Sequence, residues 1–205
     1  MSRSADKGEE AAKGLTSSTC KCSYVSADLN SVEDTEAIIP KAIVAMQDVG
    51  PISGVVNAAA VTRRGNLMTT TASEFDIQMA TNVRAPFLVT QAAAKHMIEK
   101  GIRGSIVNIC SVAAHGGAPF IMAYCASKAA LVTLTKNNAA ELAPKGIRVN
   151  GVNMGWCYTE NEDKLQSANS GPDWIVEADK GVPLGKLKPF YSLMYANIHK
   201  IIPHY

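Results

Sequence analysis

Three short apolar segments, GVVNAAA (54–60), GSIVNICS (104–111) and GIRVNGVNMG (146–155), are separated by stretches that read as helices of ten residues or more. This alternation constrains the fold more than any other feature. A strand covered on one face alternates apolar and polar residues, whereas one covered on both faces is apolar almost throughout. Runs of the second kind, alternating with helices, predict βαβ units on a parallel sheet with helices on both faces. Ligands of such sheets sit at the carboxyl ends of the strands. Chemistry is therefore expected around Asp28, Asn57, Ser111 and the segment after Asn153.

The remaining elements fit the same scheme. Ala5–Leu15 reads as a short exposed helix, and 22–27 (CSYVSA) as a strand ending at Asp28. Ser31 is an N-cap with Asp34 at the third helical position, which predicts a helix to about Val49. A long helical region is predicted over 71–100, interrupted near Pro86, and another over 123–144.

The chain of 205 residues is 47% hydrophobic and 19% charged, with a net charge of +2. That is a globular composition large enough for a sizeable core, and it argues against nucleic acid or an anionic membrane as partner. No apolar run is long enough to span a bilayer, and the polar start MSRSADKGEE lacks the apolar core of a secretory signal. The five cysteines are odd in number and match no zinc spacing, so no metal is expected. Reduced thiols suit a cytoplasmic protein.

Tyr124 and Lys128 lie four residues apart on the predicted helix, thirteen residues beyond the strand-end Ser111. A phenol is a poor base near neutral pH, and an ammonium one turn away favours the phenolate. A serine hydroxyl at a strand end can bond a carbonyl oxygen. Together they would serve a reaction that moves a proton as a hydride moves. By itself, Tyr-x-x-x-Lys also describes an ordinary amphipathic pair.

The neighbouring motifs change that balance. "NAAA" (57–60), "TNVRAPF" (81–87), "IVNICS" (106–111), "YCASK" (124–128) and "IRVNGVNMG" (147–155) occur in the order and spacing of the short-chain dehydrogenase/reductase family, which the chain resembles from Arg3 to about Leu187. The resemblance implies a Rossmann-like doubly wound α/β sheet that lacks the first βα unit and the last strand. It implies one incomplete domain over 1–189, followed by an atypical tail, 190–205. It makes Tyr124 the general acid/base and Lys128 its tuner and a ligand of the nicotinamide ribose. Ser111 then orients the substrate oxygen, and Asn82 kinks its helix and supports a proton relay. The expected cofactor contacts are Arg3, Asp28, Leu29, Asn57, Ala58, Tyr124, Lys128 and Thr159. Arg3, where the family's second strand ends, favours NADP(H), with NAD(H) possible.

Three departures stand out. The family's Asn-Asn-Ala-Gly is Asn57-Ala58-Ala59-Ala60 here, its Pro-Gly loop is Met154-Gly155, and no Gly-x-x-x-Gly-x-Gly phosphate loop occurs in these residues. Relative to the family, the chain reads as truncated at both ends. The segment HGGAPFIMAYCASK (115–128), in which His115 is a further pocket candidate, resembles sugar and polyol dehydrogenases and dicarbonyl/L-xylulose reductases. The polar stretch 159–180, with Trp156, Tyr158 and Trp174 beside it, would suit a sugar or polyol, or else form a solvated helical hairpin on an apolar foot. The expected activity is interconversion of a secondary alcohol and a carbonyl on a small polar substrate, by a homodimer or homotetramer. The alternative is a catalytically inactive fragment with a structural or oligomerising role.

Overall fold

The computed structural model describes residues 5–182 and 187–189, and it divides into two compact units, 1–152 and 153–205. Arg3 and the tail 190–205 lie outside the described residues. The first unit holds α1 (Ala5–Leu15), α2 (Val32–Glu36), α3 (Ile38–Ala45), β1 (Gly54–Asn57), α4 (Ala72–Met79), α5 (Ala85–Glu99), β2 (Ser105–Ser111) and α6 (Met122–Leu142). β3 (Arg148–Met154) follows, and the sheet runs in the order β1-β2-β3. β1 and β2 are parallel, with Asn57 opposite Asn108. All seven residues of β2 are buried, so the central strand is covered on both faces as expected, whereas β1 and β3 keep exposed positions and are not. Ile106, Ile147 and Val149 pack with Val89, Ala93, Ala94 and Met97 of α5 and with Ile38 and Ile39 of α3. This is the expected Rossmann-like α/β architecture.

Two helices break where proline forbids continuation. Ser31 accepts a hydrogen bond from the Asp34 amide and starts α2 as predicted, but α2 ends at Glu36. Pro40 has no N–H for the Glu36 carbonyl, and its ring would crowd that group, so the chain restarts as α3 with Pro40 in its first turn. The Asp34 carboxylate does not close a capping box. It accepts from the Asp28 amide instead, at 3.0 Å. The region 71–100 does begin with a complete capping box, from Thr71 and Glu74. It then passes through a π-helical turn at Ala80–Arg84, in which the Ala85 amide reaches the Ala80 carbonyl. Pro86 follows and cannot bond the Asn82 carbonyl, so the register slips at the position where the interruption was expected.

The segment 22–27, expected as a strand, belongs to neither sheet and has no regular secondary structure among the described residues, although Ala27 is buried in the core. Alternating residues suffice to propose a strand, but a ladder with a neighbour makes one.

In the second unit, β4 (Cys157–Tyr158) pairs in parallel with β5 (Lys188–Pro189), and α7 (Glu160–Ser170) and α8 (Trp174–Gly181) form the helical hairpin. The aromatic residues there stack on one another: Trp174 lies 5.8 Å from Trp156 and 6.3 Å from Tyr158. Their indoles bond Glu162 and Asp163 at 2.9 Å, and Trp174 is buried, which is the apolar-foot arrangement.

Candidate active site

β2 ends at Ser111, whose hydroxyl accepts from the Ala113 amide at 3.1 Å and starts a short 3₁₀ turn. The chain returns as α6, which presents Tyr124 and Lys128 one turn apart to the same strand end. α6 lies close to the sheet because Gly151 of β3 has no side chain. A Cβ there would meet Cys110 Sγ at 3.2 Å and Thr135 Cγ2 at 3.4 Å.

Lys128 is 2% exposed, and its ammonium donates to the Ile109 carbonyl at 2.6 Å while lying 5.7 Å from the centre of the Tyr124 ring. Burial lowers its pKa from the usual 10.5 to about 8, with the Cys110 thiol pulling weakly the other way. The tuning expected of Lys128 on Tyr124 is overridden here. Burial pushes the phenol above its ordinary value, and the hydrogen bonds that oppose this come from Ser111 and Thr62. The Cys125 and Cys110 thiols raise it further. Tyr124 is thus held as a protonated phenol at neutral pH, in contact with two hydroxyls.

Asn82 sits in the π turn and is wholly buried. It clamps Val61, accepting from the backbone N–H at 2.8 Å and donating to the carbonyl at 2.9 Å. It also donates to Ser127 Oγ, which donates to the Tyr124 carbonyl. One helical turn earlier, the buried Gln78 accepts from the Arg63 amide at 3.2 Å. Two buried amides therefore fix the loop on either side of Thr62. No local pattern marks Thr62, Gln78 or Ser127, because each matters through a partner far away in the chain.

The Asn57 amide points inward and donates to Thr90 Oγ1 at 3.2 Å and Asn108 Oδ1 at 2.8 Å, and Asn108 donates to Thr135. These bonds tie α5, β1, β2 and α6 below the site, and Ala58, Ala59 and Ala60 are exposed. Asp28 Oδ1 accepts from the amide and the side chain of Asn30, and Leu29 packs against the core. Thr159 belongs to the second unit, where its hydroxyl caps α7 at the Glu162 amide. His115 is exposed in the turn after Ser111.

A match to the family described as short chain dehydrogenase extends over residues 1–170. The chain belongs to the short-chain dehydrogenase family. Among individual members it is similar to gluconate 5-dehydrogenase of Gluconobacter oxydans (strain 621H), 36% identical over 184 residues that make up 90% of this chain and 69% of that one. It is 42% identical to carbonyl reductase [NADPH] 2 of Sus scrofa over 129 residues, 63% of this chain and half of that enzyme. Among solved structures, a gluconate 5-dehydrogenase from Burkholderia cenocepacia J2315, in complex with NADP and tartrate, superposes with a TM-score of 0.82. That alignment has 30% identity and covers 96% of this chain and 74% of the other. The chain thus spans between half and three quarters of the length of these relatives. Among the described residues, no group of three or more His, Cys, Asp or Glu could hold a metal ion, and no helix is long and apolar enough to cross a membrane.

Proposed function

We propose that the chain carries the proton-transfer machinery of an NAD(P)(H)-dependent oxidoreductase that interconverts a secondary alcohol and a carbonyl on a small polar substrate: a sugar, polyol or dicarbonyl. The observation that carries this reading is the convergence of Ser111, Tyr124, Lys128 and, through Ser127, Asn82 on one strand end. The gluconate and carbonyl enzymes among its relatives support the substrate class.

In the reduction direction, Tyr124 donates its phenolic proton to the developing alkoxide, and Ser111 holds the substrate oxygen beside it. Lys128, half of it protonated near pH 8, replenishes that proton, and the π turn at Asn82 offers the route to solvent. Oxidation runs the same steps backwards and needs the phenolate, so its rate climbs with pH. When bound, the nicotinamide supplies or accepts the hydride. Tyr124 and Lys128 would hold its ribose, and the backbone at Ala58 and the loop at Asp28 would line the dinucleotide.

NADP(H) is the favoured cofactor, with NAD(H) second. The support is Arg3 in the sequence and the NADP in the Burkholderia enzyme. A reducing, cytoplasmic setting accords with the free state of all five cysteines. The second reading, a non-catalytic fragment that keeps a structural role, draws on the lack of a Gly-x-x-x-Gly-x-Gly loop within these residues, since such a loop and its helix N-terminus hold the pyrophosphate. Fluorescence titration of the 205-residue chain with NADPH and NADH separates the two. Binding with turnover of a sugar or diketone supports the enzyme. A folded chain that binds neither supports the fragment.

We also propose that the protein assembles as a homodimer or homotetramer through its long helices. Phe75 of α4 and Phe87 and Ile98 of α5 are each exposed by 40% or more, beside small residues that permit close helix approach. Sedimentation is expected to show a dimer or larger. A clean monomer at micromolar concentration would refute this assembly.

A further inference from the structure

The loop after β1 holds a cation that the catalytic scheme does not use. The amides of Val61 and Arg63 both point toward buried amide side chains of the helix below, Asn82 and Gln78. Residues 61–64 have no helix or turn, and in an extended stretch alternate amides face the same way, which puts the side chains of Thr62 and Arg64 on one face, ~7 Å apart along it. Thr62 on that face acts on the Tyr124 phenol and lowers its pKa. Arg64 is the next side chain along that face.

Its surroundings leave it free to bind an anion. The Arg64 guanidinium lies over the Phe120 ring, 5.6 Å from its centre. Phe120 is itself fixed against this loop: its carbonyl accepts from the Gly65 amide at 2.8 Å, and the Met122 amide donates to the Gly65 carbonyl at 3.2 Å. Nearby cations are otherwise engaged. Arg63 faces Glu74, whose carboxyl it helps to hold down, and Arg84 donates to the Asn30 carbonyl. The ion pairs among the described residues are Lys21–Asp48 and Lys180–Glu177, so no carboxylate neutralises Arg64. An aromatic face orients a guanidinium without cancelling its charge, and the planar fork stays open for a bidentate carboxylate.

We propose that Arg64, steadied by Phe120, is a substrate-recognition residue, and that the substrate is a small hydroxy or keto acid whose carboxylate it pairs while the reacting carbon lies at Tyr124. This inference rests on the oxidoreductase reading and narrows its substrate class from sugars in general to anionic sugar acids and related hydroxy acids.

The test uses D-gluconate and D-glucitol, which share a six-carbon polyol skeleton and differ by a carboxylate against a CH₂OH group. Affinities are measured by calorimetry or saturation-transfer NMR on the full chain at low ionic strength, without turnover. Gluconate is expected to bind the wild type at least tenfold more tightly than glucitol. Arg64→Gln is expected to bring the ratio to within about twofold, with Arg64→Lys between, since a point charge replaces the fork. Arg64 is exposed, so the variants are expected to keep the wild-type melting temperature, which is measured alongside. Equal affinities in the wild type, binding of neither compound, or an unaltered ratio in Arg64→Gln would each overturn the proposal. Gluconate binding that depends on Arg64 but leads to no turnover with NADP⁺ defeats the oxidoreductase reading and leaves the anion site standing. Turnover with no preference for the acid does the reverse.

Discussion

Tyr124→Phe is expected to lower turnover by roughly 10²–10⁴, the usual contribution of a positioned acid or base. The ring is partly buried on α6, so phenylalanine fills the same space and the helix is undisturbed. What goes is the single phenolic proton, which burial retains against the opposing effect of Ser111 and Thr62. Because burial raises the phenol, the wild type carries that proton throughout the neutral range. The reductive rate should therefore be flat near neutrality and fall only at alkaline pH, whereas the oxidative rate should climb with pH. The variant should lose this dependence together with its rate, while cofactor affinity changes little. Single-turnover kinetics across pH on a catalytically competent form measures both, and wild-type kcat in the variant would remove Tyr124 from the mechanism.

Lys128→Met should inactivate the protein and at the same time stabilise it. In the unfolded chain the ammonium has its ordinary pKa of 10.5, and in the fold about 8. Between these values the unfolded chain holds more protons, so stability rises with pH over that window, and below about pH 8 the whole cost of burying the charge is present. At 1.36 kcal/mol per unit that cost is about 3 kcal/mol. Methionine fills similar volume without charge but leaves the Ile109 carbonyl without its 2.6 Å donor, a loss of about 1 kcal/mol. A net gain of about 2 kcal/mol is expected at pH 7, vanishing by about pH 10. Urea unfolding of both proteins at pH 7 and pH 9.5 tests this, and a variant less stable than wild type at pH 7 would contradict it. A buried, uncompensated ammonium makes sense only where function requires it, beside a group that must be reprotonated.

The order of elements was legible along the chain. Apolar runs marked β1, β2 and β3, but only β2 is buried along its whole length, and β1 and β3 keep exposed positions. Pro86 marked the interruption after α4, and the Tyr124–Lys128 spacing placed both on one helical face. Pro40 is also visible in the sequence, but the break it causes falls at Ala37, three residues earlier, where the helical periodicity runs on. The segment 22–27 misled in the opposite direction, since its alternation is local whereas a strand is a property of pairs.

The sequence by itself determined the α/β class and the family, and it marked Asn82, Ser111, Tyr124 and Lys128 as candidates, because periodicity and motif spacing are written in single residues and short intervals. Only the tertiary structure decided that the Asn57 amide turns inward to Asn108, that Asn82 and Gln78 fix the loop on either side of Thr62, and that Arg64 rests uncompensated over Phe120. It also decided that burial, rather than the neighbouring ammonium, sets the Tyr124 proton. Hydrogen bonds between residues 51 and 21 positions apart, and the desolvation of a phenol, depend on what the folded chain brings alongside, and no local stretch of residues records it.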